Sequence, residues 1–236
     1  MQTIVECRNL FKCYGDTYAL SAVNLTIPDN GGIVGLLGPN GSGKTTLIKI
    51  LTGLLTPTDG TVTVAGRAIG VETKAVVSYL SDFYSLNGGY TVKQELDYFA
   101  DFFFDFDRAK AEKMLWELGI EQHKKVKTLS KGTKEKLALI LTLSRNARLY
   151  ILDEPIAGVD PAARDYVLNT ILANKNQKST ILLSTHLISE IESIFDYVIF
   201  LRQGQVVLEG NCEEIRAREG KTIDGLFREV FRWIAM

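Results

Sequence analysis

The sequence has few cysteines, and they do not fall into a pattern that a cysteine-dependent fold needs. Cys7, Cys13 and Cys212 are odd in number and include no C-x-x-C pair. Disulfide frameworks and structural zinc sites depend on paired or closely spaced cysteines. We therefore predict neither, and this cysteine usage is typical of a reducing compartment such as the cytosol.

Long apolar runs are also missing. The longest, such as LALIL at 137–141, fall far short of the roughly 20 residues that cross a bilayer as a helix. The N-terminus MQTIVECRNL lacks the basic and apolar regions of a secretory signal. We expect the chain itself to be soluble, so that a role at a membrane would require other proteins.

Neither charge sign is in large excess, since the formal net charge is -1 and the isoelectric point is near 6.2. Nucleic-acid binding gains much of its affinity from clustered Lys and Arg, which release counterions. The balance argues against nucleic acid as the main ligand and leaves room for local basic patches.

The sequence does contain regular strand and helix patterns over 236 residues, enough for one large domain. The segments TIVECRNL, ALSAVNLTI and GTVTVAG predict antiparallel strands near the N-terminus. The apolar runs GGIVGLLG, LYIL and TILLS are separated by helical segments and predict a parallel α/β core.

Between about residues 81 and 146 the spacing is helical. Thr91 and Gln94 are spaced as a capping box, Asp107 would cap a second helix, and phenylalanines recur at helical intervals at 99, 102, 103 and 106. We predict one domain over 1–236, in which 1–81 and 147–236 form the core with its β subdomain. Residues 82–146 would form a helical subdomain.

The run LGPNGSGKTTL has the spacing of a phosphate-binding loop and stands between a predicted strand and a predicted helix. Glycines let successive backbone N–H groups surround phosphate oxygens. Lys44 would place its charge at the β- and γ-phosphates, and Thr45 would offer its hydroxyl to Mg²⁺. A plain glycine-rich turn is the alternative. The predicted nucleotide-binding residues here are Gly38, Pro39, Asn40, Gly41, Ser42, Gly43, Lys44, Thr45 and Thr46.

The run LYILDEP delivers Asp153 and Glu154 to the end of a buried strand, where ligands bind in open α/β sheets. Asp153 would hold Mg²⁺ directly or through water, and Glu154 would be the general base for the attacking water. Simple capping of the next helix is the alternative.

These motifs, together with LSKGT at 129–133, AGVD at 157–160 and STH ending at His186, resemble the ATPase subunit of ABC transporters. The resemblance runs from Tyr14 to His186. It implies a P-loop NTPase fold of the α/β class: a parallel-sheet core, an N-terminal antiparallel β subdomain and an inserted α-helical subdomain. It also implies ATP and Mg²⁺ as cofactors and ATP hydrolysis as the reaction.

The resemblance assigns further roles. Tyr14 would stack on adenine, with a plain strand-end tyrosine as the alternative, and Asp160 would belong to the nucleotide site. His186 would sense the γ-phosphate and complete a catalytic set with Glu154 and Lys44.

In this family the signature segment, here LSKGT, acts on a neighbour. Ser130 and Gly132 would meet the γ-phosphate bound to a second ATPase subunit, in a head-to-tail homodimer or heterodimer. An ordinary N-cap is the alternative for Ser130.

Three positions depart from the family pattern. Lys131 and Thr133 stand where a glycine and a glutamine are usual, and they bear on turnover rate more than on nucleotide binding. Asp82 stands where a glutamine normally touches Mg²⁺, and would either strengthen Mg²⁺ binding or shift the ion. These departures resemble a subgroup of short bacterial ATPases that serve exporter-type, ABC-2-like permeases.

The resemblance therefore predicts a subunit that powers transport through separate transmembrane permease subunits, and in this subgroup the transport is export. The subunit itself would lie in the cytoplasm, bound peripherally to the cytoplasmic face of the membrane. The permease would dock around 82–90 and the aromatic segment YFADFFFDF. For each ring of that segment we expect burial in the core over a contact with the permease, with one or two rings left at the surface as an apolar patch. Apolar spacing at 223–234 predicts a last helix packed on its own chain. The alternatives are a soluble ATP-gated clamp and a low-turnover, nucleotide-dependent interaction module.

Overall fold

The chain forms two β-sheets with helices packed against them. A computed structural model describes residues 2–81, 86–156, 161–173 and 178–232. The strands are β1 Thr3–Tyr14, β2 Thr17–Pro28, β3 Ile33–Leu37, β4 Asp59–Val64, β5 Arg67–Ala68, β6 Val77–Leu80, β7 Leu149–Asp153, β8 Thr180–Thr185, β9 Tyr197–Arg202 and β10 Gln205–Asn211. The helices are α1 Lys44–Leu51, α2 Val71–Lys74, α3 Val92–Phe102, α4 Arg108–Glu117, α5 Lys131–Leu143, α6 Pro161–Ala173, α7 Ile188–Ile191, α8 Cys212–Glu219 and α9 Ile223–Phe231, with short 3-10 turns at Val126–Thr128 and Glu192–Ile194.

The first sheet is antiparallel, as the sequence predicted. Within the described residues its strand order is β2-β1-β4-β5, and β1 pairs with β2 on one side and β4 on the other. Alternate residues of β2 are buried toward its carboxyl end, where Val23, Leu25 and Ile27 face the core. The period of two in the sequence therefore reports one covered face.

The second sheet is mainly parallel and has the order β10-β9-β3-β8-β7-β6 among the described strands. The pairs β3–β8, β8–β7, β7–β6 and β3–β9 are parallel, and β10 is antiparallel to β9. Every residue of β3, β7 and β8 is buried. Because these three strands are parallel, the loops that follow them all leave the sheet at the same edge.

Two apolar cores cover the two faces of this sheet. Val34 and Leu36 of β3 belong to a core shared with α1 and the antiparallel sheet, whereas Ile33 and Leu37 belong to a core shared with α5 to α9. The alternation of side chains along a strand explains how one short apolar run serves both cores.

A third core lies among α3, α4 and α5. The predicted caps are confirmed: Thr91 and Gln94 form a capping box, and Asp107 caps α4. Ser130 also caps α5, which is the alternative that the sequence left open for it. Leu137, Ile140 and Leu141 of α5 face this third core, while the same helix also packs into the core of the parallel sheet. The predicted domain boundaries at 82 and 146 stay a prediction.

The prediction that the phenylalanines at 99, 102, 103 and 106 share one helix was wrong for the last two. The helix α3 ends at Phe102, and Phe103 is already extended, with φ -121° and ψ 106°. Phe99 and Phe106 do pack against the third core, but Phe102 is 67% exposed and Phe104 is 88% exposed. The aromatic segment therefore keeps part of its rings at the surface.

The last helix packs on its own chain, as predicted. Ile223, Leu226 and Phe231 of α9 are buried in the core that also holds Phe200. Phe227 lies edge-on to Phe200, with ring centroids 5.6 Å apart. No helix within the described ranges is long and apolar enough to span a membrane.

A buried arginine ties the helical region to the parallel sheet. The Arg145 guanidinium binds both carboxylate oxygens of Asp105, at 2.9 and 3.1 Å, in the loop between α3 and α4. It also donates to the carbonyls of Val77 at 2.7 Å and Ala75 at 3.0 Å, beside β6. The ring of Phe103 covers its face at 4.0 Å. One side chain thus joins three parts of the chain.

We predict that Asp105→Ala lowers the free energy of unfolding by about 3–5 kcal/mol, because it leaves a buried guanidinium without its counter-charge. Urea unfolding followed by circular dichroism measures this. The matched control is Asp97→Ala, which removes a half-exposed pair with Arg108 and should cost less than about 1 kcal/mol. Equal losses in the two variants would contradict the assigned role of the Arg145 pair.

Candidate active site

The loop after β3 is a backbone cradle closed by glycines. Gly43, with φ 106°, is the N-cap of α1 and supplies no side-chain acceptor to the first turn. A Cβ on Gly38 would lie 2.4 Å from the carbonyl oxygen of Leu201 and 2.5 Å from Ser42 Oγ. Glycine is therefore required at both positions, and the first-turn N–H groups remain without a side-chain cap.

Two polar groups of this cradle fit a phosphate ligand. Ser42 Oγ is buried and has no hydrogen-bond partner among the described residues. Lys44 is buried and folds back onto the loop, donating to the carbonyls of Gly38 at 2.6 Å and Pro39 at 3.3 Å. Burial lowers the pKa of Lys44, while the nearby charges of Glu154 and Asp153 oppose this shift. A phosphate would satisfy both the hydroxyl and the ammonium group.

The other residues of the loop are accessible. Asn40, Gly41 and Thr45 are exposed, and Pro39 and Thr46 are half-buried. Thr45 lies in the first turn of α1, directly after Lys44. Its hydroxyl is thus at the start of the helix, where the sequence placed a ligand of Mg²⁺.

Asp153 ends β7 and is buried. Ser184 Oγ donates to Asp153 Oδ1 at 2.5 Å, and the two residues are register partners in the sheet. Within the described part of the chain, no group of three or more His, Cys, Asp or Glu side chains is arranged to hold a metal. A Mg²⁺ ion here would therefore draw on Asp153, the Thr45 hydroxyl and oxygens of the nucleotide, which are the hard ligands it prefers.

Glu154 has an uncommon backbone conformation, with φ 53°. Its N–H donates to both the hydroxyl of Ser184, at 3.0 Å, and the carbonyl of Ser184, at 3.2 Å. Left-handed backbone at a non-glycine residue costs free energy and persists where surrounding contacts hold it. The chain therefore turns at Glu154, directly after β7 ends.

The Glu154 side chain pairs with His186. Oε2 of Glu154 lies 2.9 Å from Nδ1 of His186, and the carboxylate is 14% exposed whereas the imidazole is 48% exposed. A carboxylate fixed in this way is suited to accept a proton from a water molecule. The exposed imidazole is free to turn its other nitrogen toward a ligand.

The structure thus brings Lys44, Asp153, Glu154 and His186 to one edge of the parallel sheet. Ser184 was missed by sequence reasoning, although it is the polar residue at the end of the buried run TILLS. Its contacts depend on the β7–β8 register, which a single strand does not reveal.

Three predicted residues lie apart from these contacts. Tyr14 ends β1 and is 51% exposed, with Lys12 Nζ 5.4 Å from its ring centroid. Ser130 Oγ lies 2.8 Å from Thr133 Oγ1 and accepts from Thr133 N at 3.2 Å, while a Cβ on Gly132 would meet nothing within 4 Å. Asp82 and Asp160, predicted for the metal and the nucleotide, are outside the described residues.

Comparison with known proteins identifies the class. The family model described as ABC transporter matches residues 20–157. The bacitracin transport ATP-binding protein BcrA of Enterococcus faecalis is 34% identical over 94% of this chain and 73% of its own length. The lantibiotic transport ATP-binding protein SrtF of Streptococcus pyogenes is 31% identical over 87% of this chain and 90% of its own.

A solved structure described as the ATP-binding subunit of an ABC transporter superposes with a TM-score of 0.85, at 29% identity, over 96% of this chain and 99% of that one. The chain therefore belongs to the ABC transporter family, as an ATP-binding subunit that is an ATPase. The predicted α/β P-loop NTPase fold and the resemblance to ATPases of the exporter type are confirmed.

We predict that Gly38→Ala weakens ATP binding at least tenfold, about 1.4 kcal/mol, because the added methyl group must displace the Leu201 carbonyl or Ser42. Titration with a fluorescent ATP analogue measures this. Gly70→Ala is the control, since its Cβ would meet no atom closer than 3.9 Å and its backbone is extended. Unchanged affinity in Gly38→Ala would contradict a phosphate site in this loop.

Proposed function

We propose that the chain hydrolyses Mg-ATP as one half of a head-to-tail dimer and powers export through separate membrane permease subunits. The observation that carries this proposal is the open start of α5. Ser130 is exposed and its hydroxyl contacts Thr133 of the same helix, and Gly132 has nothing within 4 Å of its Cβ position. A phosphate-recognition motif left open to solvent is explained by a ligand on a neighbouring chain.

Each residue of the edge has a role in this reaction. Lys44 and the backbone N–H groups of the phosphate loop bind the β- and γ-phosphates. Thr45 and Asp153 would hold Mg²⁺, which neutralises charge on the phosphates, and Asp82 would be a further ligand. Tyr14 and Asp160 would complete the nucleotide site.

The proton transfer falls to Glu154. Its carboxylate accepts a proton from the attacking water, and the hydrogen bond from His186 fixes its orientation. Ser184 is a positioning residue, because its hydroxyl and its carbonyl hold both ends of the Asp153–Glu154 turn.

Export and the permease partner rest on the relatives and on the aromatic segment. The relatives named for bacitracin and lantibiotic transport support a peptide-like antibiotic as the class of cargo. The exposed rings of Phe102 and Phe104, together with Tyr98, which packs against Phe102, support docking of an apolar permease segment there. In this proposal the chain lies at the cytoplasmic face of the membrane, bound through its permease.

We predict that Glu154→Gln abolishes ATP hydrolysis and accumulates a dimer in the presence of Mg-ATP, because the nucleotide still binds but is not consumed. Sedimentation velocity with and without ATP measures the association. The nucleotide-free variant is the control and should sediment as a monomer. Normal hydrolysis by this variant would show that Glu154 is not the base.

We predict that Gly132→Ala and Ser130→Arg leave ATP binding to the isolated chain unchanged but lower the ATPase rate at least tenfold, since both add atoms where a neighbour's phosphate would sit. Gly132→Ala is the sharper variant, because the chain itself has room for the methyl group.

The rate per subunit is measured against protein concentration, and the wild-type rate should rise as dimers form. A wild-type rate independent of concentration, together with unaffected variants, would leave the start of α5 as a simple helix cap.

A further inference from the structure

Two neighbouring segments that leave the parallel sheet are joined to each other by two separate side-chain contacts. After β7 the chain passes through Glu154 to α6, and after its sheet neighbour β8 it passes through His186 to α7. Glu154 Oε2 lies 2.9 Å from His186 Nδ1. Further along, Nη1 of Arg164 on α6 lies 2.5 and 2.6 Å from the two carboxylate oxygens of Glu190 on α7. The second contact closes a ring that contains the Glu154–His186 pair.

The two members of that pair are not held equally firmly. The Glu154 N–H donates twice to Ser184, and the Glu154 carboxylate is 14% exposed. The His186 imidazole is 48% exposed, and its backbone leads into α7 through a turn in which Leu187 N donates to Thr185 Oγ1 at 2.9 Å. The orientation of the histidine therefore depends on how α7 is placed.

The helix α7 is short and has one apolar side. Ile188 and Ile191 are buried in the core of the parallel sheet. Apolar burial is non-directional, so it sets the depth of the helix more than its rotation about its own axis. A charge-assisted contact between a guanidinium and a carboxylate is directional. Glu190 comes four residues after His186, and its pair with Arg164 therefore restrains the rotation of α7 close to the histidine.

The stability of the chain depends little on a pair of this kind. The side chains of Arg164 and Glu190 are 21% and 39% exposed. Partly exposed ion pairs add little to the free energy of unfolding, because water screens their charges. A displacement of a reacting group by about 1 Å, in contrast, can lower a rate about a hundredfold. A positioning role therefore predicts a large loss of rate together with a small loss of stability.

We propose that Arg164 and Glu190 are positioning residues, which hold His186 against Glu154 during ATP hydrolysis. They act through the histidine and not on the nucleotide. This inference rests on the proposed roles of Glu154 and His186 and adds to them.

The first measurement is the ATPase kcat and KM of the full chain carrying Arg164→Gln or Glu190→Gln, each of which removes one charge of the pair. We expect kcat to fall at least about tenfold and KM to change less than about twofold, since an interaction that matters in the transition state is lost. The midpoint of thermal unfolding should fall by no more than about 4 °C. Arg164→Lys keeps the charge and should stay within about threefold of the parental kcat.

A matched control breaks an ion pair of similar exposure in the helical region. Arg108 lies 2.6 Å from Asp97, and the two side chains are 35% and 39% exposed. Arg108→Gln should therefore lower the unfolding midpoint about as much as Arg164→Gln does, and its kcat should stay within about twofold of the parent.

The second measurement reports the position of the histidine without turnover. The chain has two histidines, so that ¹⁵N-histidine labelling gives NMR signals from His186 and from His123, which is 79% exposed and serves as an internal reference. In Arg164→Gln and Glu190→Gln we expect the Nδ1 signal of His186 to move toward its position in Glu154→Ala, where the carboxylate is absent. The signals of His123 should not move.

The outcomes separate this inference from the proposed function. If His186→Ala keeps the parental kcat, the proposed role of the histidine is wrong and the inference fails with it. If His186→Ala lowers kcat while Arg164→Gln and Glu190→Gln keep it, or lower it without moving the His186 signal, the positioning role alone is overturned. A loss of kcat as large in Arg164→Lys as in Arg164→Gln also overturns it, because the charge pair would then not be what matters.

Discussion

The parallel register of three fully buried strands is the constraint on which the active site depends. The strands β3, β8 and β7 have apolar cover on both faces, and pairing in register sets Leu37 beside Thr185 and Asp153 beside Ser184. The phosphate loop, the acidic turn and His186 consequently leave the sheet at one edge. The strained backbone of Glu154 is held there by two hydrogen bonds from its N–H to Ser184, which offset a cost of about 1–3 kcal/mol.

The helix α5 connects this edge to the surface that we assign to a neighbouring chain. It has 13 residues, about 20 Å of helix, and it packs into both the helical core and the core of the parallel sheet. Ser130 caps its start, and just after its end Arg145 binds Asp105 and the carbonyls of Ala75 and Val77 at the start of β6. A displacement at the start of α5 would thus shift the residues around β6 and its neighbour β7, which ends in Asp153, because a close-packed interior transmits strain.

The net charge of the whole chain conceals a local excess of positive charge. The net charge of -1 argued against a nucleic-acid function, yet it averages a basic segment at 121–136 with an acidic remainder. Lys124, before the start of α5, and Lys136, within it, line one cavity beside Ser130 only because the fold brings them together.

Most of the fold followed from local chemistry in the sequence. Thr91 and Asp107 indicated the starts of their helices because capping is a contact within four residues. The glycine spacing from Gly38 to Gly43 indicated the phosphate loop because only glycine permits that backbone. Phe103 and Phe106 lie beyond the end of α3, although their spacing predicted one helix, and Asp105 between them binds Arg145, a partner that local spacing does not reveal. By itself the sequence determined the type of each element and the identity of the phosphate-binding and acidic motifs. Only the tertiary structure decided that Ser184 would hold Asp153 and Glu154 and that Arg145 would bind Asp105, because partners 31 and 40 residues apart are chosen by sheet register and core packing rather than by local preference.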